Sequence, residues 1–179
     1  LRQNSIKKTV VAAPTGVAAI NANGVTLHSL FQLPFGVILP YLDFMRDTEN
    51  SFMNHPLISK IHYSKEKLDL LRNIELLIID EASMLASYIL DAIDLILRYV
   101  RRKPESPFGG VQLLLIGDLH QLPPVVKRED WEMLQDFYTS IFFFDSIVLR
   151  DNLPIVIELK EIFRQKDEKF IEILNGIRN

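Results

Sequence analysis

Residues 76–80, Leu-Leu-Ile-Ile-Asp, set four apolar side chains in a row without alternation and stop on an acid. A strand that is apolar on both faces must be covered on both faces, which is the condition of a parallel sheet clad by helices. Residues 112–118, QLLLIGD, repeat the pattern and again end in an acid. TVVAA at 9–13, closed by Pro14, and IVIEL at 155–159 read as two further strands. Between these runs, Thr15 can cap a helix over residues 16–22 with Gly24 at its stop, and Ser64 can cap a short helix toward Arg72. Leu85, Tyr88, Ile89, Ala92, Ile93, Ile96, Leu97 and Val100 recur at spacings of three and four, which predicts a helix reaching about Arg101. Residues 31–63, with prolines at 34, 40 and 56, hold no sustained period and read as an irregular, partly helical excursion. The fold expected is α/β, a doubly wound and mainly parallel sheet with helices on both faces. Residues 1–179 contain no linker that would divide them, so a single, partial domain is expected.

Bulk properties narrow the function. The chain has no cysteine, which excludes disulfides and thiolate metal sites. No apolar run approaches the roughly 18 residues of a membrane span, and no leader is evident, so a cytoplasmic protein without a membrane partner is expected, nucleoid-associated if bacterial. A net charge of −3 argues against coating nucleic acid by bulk attraction. Any such contact must be local. The chain opens on Leu1 rather than Met, as an excised piece of a longer protein would.

In doubly wound sheets ligands bind outside the carboxyl ends of the strands. The polar signals of this sequence gather at those ends: Pro14-Thr15-Gly16 after the first strand, Asp80-Glu81 after the second, Asp118 and Gln121 after the third. An acid there can hold magnesium through its water shell, and a second acid beside it can take a proton from an attacking water. Asp80 and Glu81 fit those roles in that order. Their plainer reading is Asp80 as cap of the following helix with Glu81 in its first turn. In GDLHQLPPV, Pro123 and Pro124 stiffen the loop that presents Gln121, an amide suited to sensing a terminal phosphate or its attacking water. Arg98, Arg101, Arg102 and Lys103 read as a solvated helix end, and Phe142, Phe143 and Phe144 as core.

APTGVAAI, VTLHSLF, LLIIDEASM, PFGGVQLLLIGDLHQLPPV and ELKEIFRQ occur in this order. Together they closely resemble the first motor domain of superfamily 1B DNA helicases of the Pif-one and RecD-like branch. The resemblance implies a RecA-like domain and a motor that uses ATP and magnesium to move 5′ to 3′ along single-stranded or forked DNA, in replication, repair, recombination or telomere maintenance. It implies that Asp80 helps hold magnesium, that Glu81 activates water and that Gln121 senses the γ-phosphate. It further implies that Arg164 stabilises the transferred phosphoryl group. Pro14, Thr15 and Gly16 fall in the family's first DNA-contacting motif, and Thr26 and His28 in the next. For Arg164 the alternative is a surface pair with Glu161 or Glu168.

A phosphate loop, G-x-x-x-x-G-K-[ST], is absent from the chain, and the family carries it upstream of Pro14. The expectation is therefore a RecA-like core without its N-terminal strand and phosphate loop, inactive by itself. Two other readings are a degenerate ATPase domain serving as a DNA or protein adaptor, and a magnesium-dependent nuclease or phosphatase built on Asp80, Glu81 and Asp118.

Overall fold

The structure, a computed structural model, describes residues 7–40, 55–159 and 176. Strands β1 (Thr9–Ala13), β2 (Val25–Thr26), β3 (Leu76–Ile79) and β4 (Gln112–Leu115) form one sheet in the order β2-β1-β3-β4, and every pair is parallel. Seven helices accompany it among the described residues: α1 (Gly16–Asn21), α2 (Leu27–Phe31), α3 (Pro56–Lys60), α4 (Lys65–Asn73), α5 (Ser87–Arg101), α6 (Arg128–Leu134) and α7 (Ile147–Asp151). Thr15 and Ser64 cap α1 and α4, their hydroxyl oxygens accepting from the N–H of Ala18 and Lys67. Among the described residues no helix is long and apolar enough to cross a membrane.

Register decides which side chains meet. Ala12, Ile79 and Leu115 lie abreast, as do Val10, Leu77 and Leu113 two residues earlier, so all six share one face. On that face they join α2, α4 and α5 in the main core, where Phe31, Leu71, Leu90, Ile93, Ile96 and Leu97 are fully buried. Ala13 points the other way and meets Ala18 and Ala19 of α1 in a separate small cluster. Helices thus cover both faces, one far more heavily than the other.

Buried acids on α5 fasten the rest of the chain to this core. Asp94 accepts from Arg98 Nε through both oxygens, at 2.9 and 2.8 Å, and from the N–H of Phe108. Asp91 accepts from the Tyr138 hydroxyl at 2.8 Å and from the N–H groups of Ile147 and Val148 at 3.0 Å each, which pins the start of α7. The Phe-Gly-Gly turn before β4 has a packing explanation: a Cβ on Gly109 would lie 2.5 Å from the carbonyl oxygen of Leu97 on α5.

Two expectations need correction. Residues 155–159 are not a strand; Ile155, Val156 and Ile157 are 93, 84 and 80% exposed, because no neighbour hydrogen-bonds to them and β4 keeps its outer edge open among the described residues. The sheet's fourth strand is β2, beside β1. Nor is the basic end of α5 wholly solvated, since Arg98 is held by Asp94 and the Pro104 carbonyl, and Arg101 donates to the carbonyls of Gly109, Arg72 and Ile74. Arg102 and Lys103 alone of the four are exposed. Of the phenylalanine run only Phe143 rests on the core, partly buried; Phe144 is exposed and stacks on Phe142.

Candidate functional site at the β1/β3 crevice

From β1 the chain moves through α1 to β2 on one side, then crosses back to β3 on the other. That reversal opens a crevice at the carboxyl ends of β1 and β3, the place where such sheets bind ligands. Pro14, Thr15 and Gly16 leave β1 there, and Asp80 and Glu81 leave β3. The two exits are joined directly: the Asp80 N–H donates to the Ala12 carbonyl at 2.9 Å.

The acid pair does not start α5, though Glu81 stands at the head of the short 3₁₀ turn that follows it. Ala86 is the N-cap of α5, six residues on, and Asp80 instead accepts from the N–H of Glu81 through Oδ1 at 2.9 Å. Oδ2 of Asp80 and both oxygens of Glu81 have no protein partner among the described residues. Half-buried acids with free oxygens suit a hydrated cation and a water to be deprotonated. Glu81 itself lies in the left-handed region, φ 53° and ψ 44°, a conformation that costs a side-chain-bearing residue of order 1 to 3 kcal/mol and is retained where the surroundings enforce it.

Those surroundings are visible. The chain after Glu81 forms a 3₁₀ turn, Ala82–Met84, whose Ala82 N–H donates to the Ile116 carbonyl at 2.9 Å. Gly117 lies against the same turn: a Cβ there would stand 2.9 Å from the Ala82 nitrogen and 3.0 Å from that of Ser83. Gly117→Ala is therefore expected to destabilise the domain by about 1 to 3 kcal/mol through overpacking. An unchanged melting temperature would show that the two loops are not locked together.

The loop beyond Gly117 is organised by Asp118, which accepts from the His120 N–H at 3.1 Å and from Gln121 Nε2 at 3.3 Å, while the Gln121 N–H returns to the Asp118 carbonyl at 2.9 Å. Gln121 is exposed with its amide oxygen turned free, and Pro124 is buried, so the loop is anchored beyond the amide it presents. Asp118 thus helps hold Gln121, and among the described residues no group of three or more histidine, aspartate or glutamate side chains is placed to hold a metal ion. This does not favour a nuclease built on Asp80, Glu81 and Asp118 as one ligand cluster.

On the β2 side, Thr26 is the register partner of Ala13, which brings the two threonine motifs together. Thr26 caps α2 as Thr15 caps α1, its oxygen accepting from the Ser29 N–H at 3.2 Å, so each hydroxyl proton stays available to an outside acceptor. Gly16 is exposed, with open space where a Cβ would sit. His28 is half-buried, and burial holds its imidazole below the usual histidine range, neutral at neutral pH. Arg164 lies outside the described residues.

Two features escaped the sequence reading. Asp118 as holder of Gln121 could have been found from their spacing of three across a turn. Ser83, two residues after Glu81, is fully buried with no partner for its hydroxyl among the described residues, an arrangement that costs about 1 to 3 kcal/mol.

Residues 1–179 match the family model described as PIF1-like helicase. The ATP-dependent DNA helicase PIF1 of Candida albicans (strain SC5314 / ATCC MYA-2876) is 39% identical over 183 residues, covering 100% of this chain and 18% of that protein. The ATP-dependent DNA helicase RRM3 of Saccharomyces cerevisiae (strain ATCC 204508 / S288c) is 36% identical over 168 residues, covering 94% and 20%. Among solved structures, Bacteroides Pif1 bound to ssDNA superposes with a TM-score of 0.85 at 48% identity, over 99% of this chain and 38% of that one. The Bacteroides complex with ADP-AlF3 and ssDNA gives the same figures. This chain spans about a fifth of the length of the curated relatives it matches. With the parallel sheet, the crevice and its acids in place, the match over the whole sequence shows that the chain belongs to the PIF1-like helicase family.

Proposed function

We propose that this chain is part of the first motor domain of an ATP-dependent DNA helicase that moves 5′ to 3′ on single-stranded DNA and acts in genome maintenance inside the cell. The observation that carries the reading is the hydrogen bond between Asp80 and Ala12, which ties the exit bearing the acids to the exit bearing the DNA motif at one crevice. Magnesium-bound ATP supplies the phosphoryl group to be transferred. In this reading Asp80 holds the hydrated ion, Glu81 takes the proton of the attacking water, and Gln121 positions that water or senses the terminal phosphate. Pro14, Thr15 and Gly16, with Thr26 and His28, face the DNA backbone; α1 and α2 are too short to contribute much dipole, so the threonine hydroxyls carry most of that contact.

Residues 1–179 contain no G-x-x-x-x-G-K-[ST] phosphate loop. Among the described residues the outer edge of β4 and the β-branched run at 155–159 are unpaired, so each has room for a further strand. Relatives with the same fold are described as bound to ssDNA and to ADP-AlF3, which is the combination this reading requires.

The test is the full-length protein on a forked duplex with a 5′ single-stranded tail. ATP hydrolysis stimulated by single-stranded DNA, together with strand separation, is expected; a full-length protein whose hydrolysis ignores DNA would overturn the reading. Arg164 is tested in the same assay. A guanidinium facing the transferred phosphate is planar and multidentate, so Arg164→Lys should remain folded, bind DNA and lose most of its hydrolysis. A surface pair, worth at most about 1 kcal/mol, would tolerate lysine.

A further inference from the structure

Phe35 is the most conspicuous side chain that the helicase reading leaves without a task. It is 96% exposed, the largest exposure of any apolar residue described, although burying a phenylalanine is worth about 1.5 to 3 kcal/mol. The loop does not hold it out by looseness. Leu33 and Ile38 on either side are buried at 6 and 8% exposure, Pro34 fixes the backbone before it, and Gly36 turns the chain at φ 98°, where a side chain would be strained. The Phe35 ring lies nearly parallel to that of His28, with centroids 6.0 Å apart and planes inclined by 18°. Its other face is open to solvent.

We propose that Phe35, backed by His28, is a stacking platform for an unpaired base of the single-stranded DNA. The proposal rests on the DNA reading given above and adds to it a contact to a base where that reading has contacts to the backbone. His28 follows Thr26 by two residues, and Thr26 pairs in register with Ala13 at the mouth of the crevice, so the platform lies along the row of residues assigned to the strand. Burial lowers the pKa of the half-buried imidazole, so it carries little positive charge and can stack behind the phenyl ring. Because every base offers a π face, the contact is tolerant of sequence, as a translocating motor needs.

The test is the affinity of the full-length protein for a labelled single-stranded oligonucleotide, with and without bases. Stacking of one base is worth about 1 to 3 kcal/mol, so Phe35→Ala should weaken binding roughly 5- to 150-fold, while Phe35→Trp restores it. With an oligonucleotide of abasic sites, wild type and Phe35→Ala should bind alike. Melting temperatures should match, since Phe35 is not part of the core. Equal binding of the ordinary oligonucleotide by wild type and Phe35→Ala overturns the platform while leaving the DNA reading intact. An equal loss on ordinary and abasic DNA also overturns it, because the ring would then act on the backbone. If wild type shows no saturable binding to single-stranded DNA, the reading beneath the proposal fails with it.

Discussion

Glu81→Gln in the full-length protein is expected to bind ATP about as well as wild type and to turn it over about 10²- to 10⁴-fold more slowly, the usual worth of a positioned general base. The substitution keeps the size of the side chain and the left-handed backbone at this position, and it removes only the ability to accept a proton. Neither Glu81 oxygen is engaged by a protein donor among the described residues, so no structural bond is lost with the charge. Glu81→Gly sharpens the comparison. Glycine adopts φ 53° without strain, so this variant should melt higher by the equivalent of about 0.5 to 1 kcal/mol while its hydrolysis falls as far. A carboxylate kept at a strained position for chemistry predicts both changes together. Near-normal turnover in Glu81→Gln, measured by steady-state phosphate release, would reduce Glu81 to a turn residue.

The largest effect on stability is expected from Asp91→Ala, at about 3 kcal/mol or more. Three donors converge on this one carboxylate, and alanine would leave the N–H groups of Ile147 and Val148 and the Tyr138 hydroxyl without their acceptor. Burial pushes the Asp91 carboxyl up to about 6 against an ordinary value of 3.8, the three donors offsetting only part of the desolvation. Since the folded state holds this proton more tightly than the unfolded one, the favourable contribution is complete below about pH 4 and is lost as pH rises through about 6. Asp91→Asn cannot titrate. Relative to it, wild type should gain stability in urea unfolding as pH falls from 7 to 4, and a pH-independent difference between the two would show that Asp91 titrates normally.

The sequence made some of this plain for physical reasons. A threonine or serine before an apolar period is a local signal, and Thr15 and Ser64 cap the helices expected of them. Runs such as LLII state that a strand is covered on both faces, and β3 is an interior strand of the sheet accordingly. β2 could not be read, because two residues have no period. The run at 155–159 shows the limit of such reasoning: composition says that a segment belongs inside a sheet but not whether its hydrogen-bonding neighbour is at hand. The sequence placed the acid pair and Gln121 just past the carboxyl ends of two strands, and the structure has β3 end at Ile79 and β4 at Leu115 ahead of them. The Asp91 cluster was not, since its partners lie 47 to 57 residues away and nothing local foreshadows them.

The edge of β4 and the run at 155–159, both unpaired among the described residues, also bear on how this polypeptide behaves in a tube. An unpaired strand edge and a β-branched segment with its backbone free are each a template for another copy. Pro154 and Glu158 flank the segment as partial gatekeepers, but Ile155, Val156 and Ile157 between them carry no charge. Expressed as residues 1–179, the polypeptide is expected to lose colloidal stability as its concentration rises, and a solubility screen that adds flanking sequence is expected to register the occupancy of that edge before any assay of catalysis does.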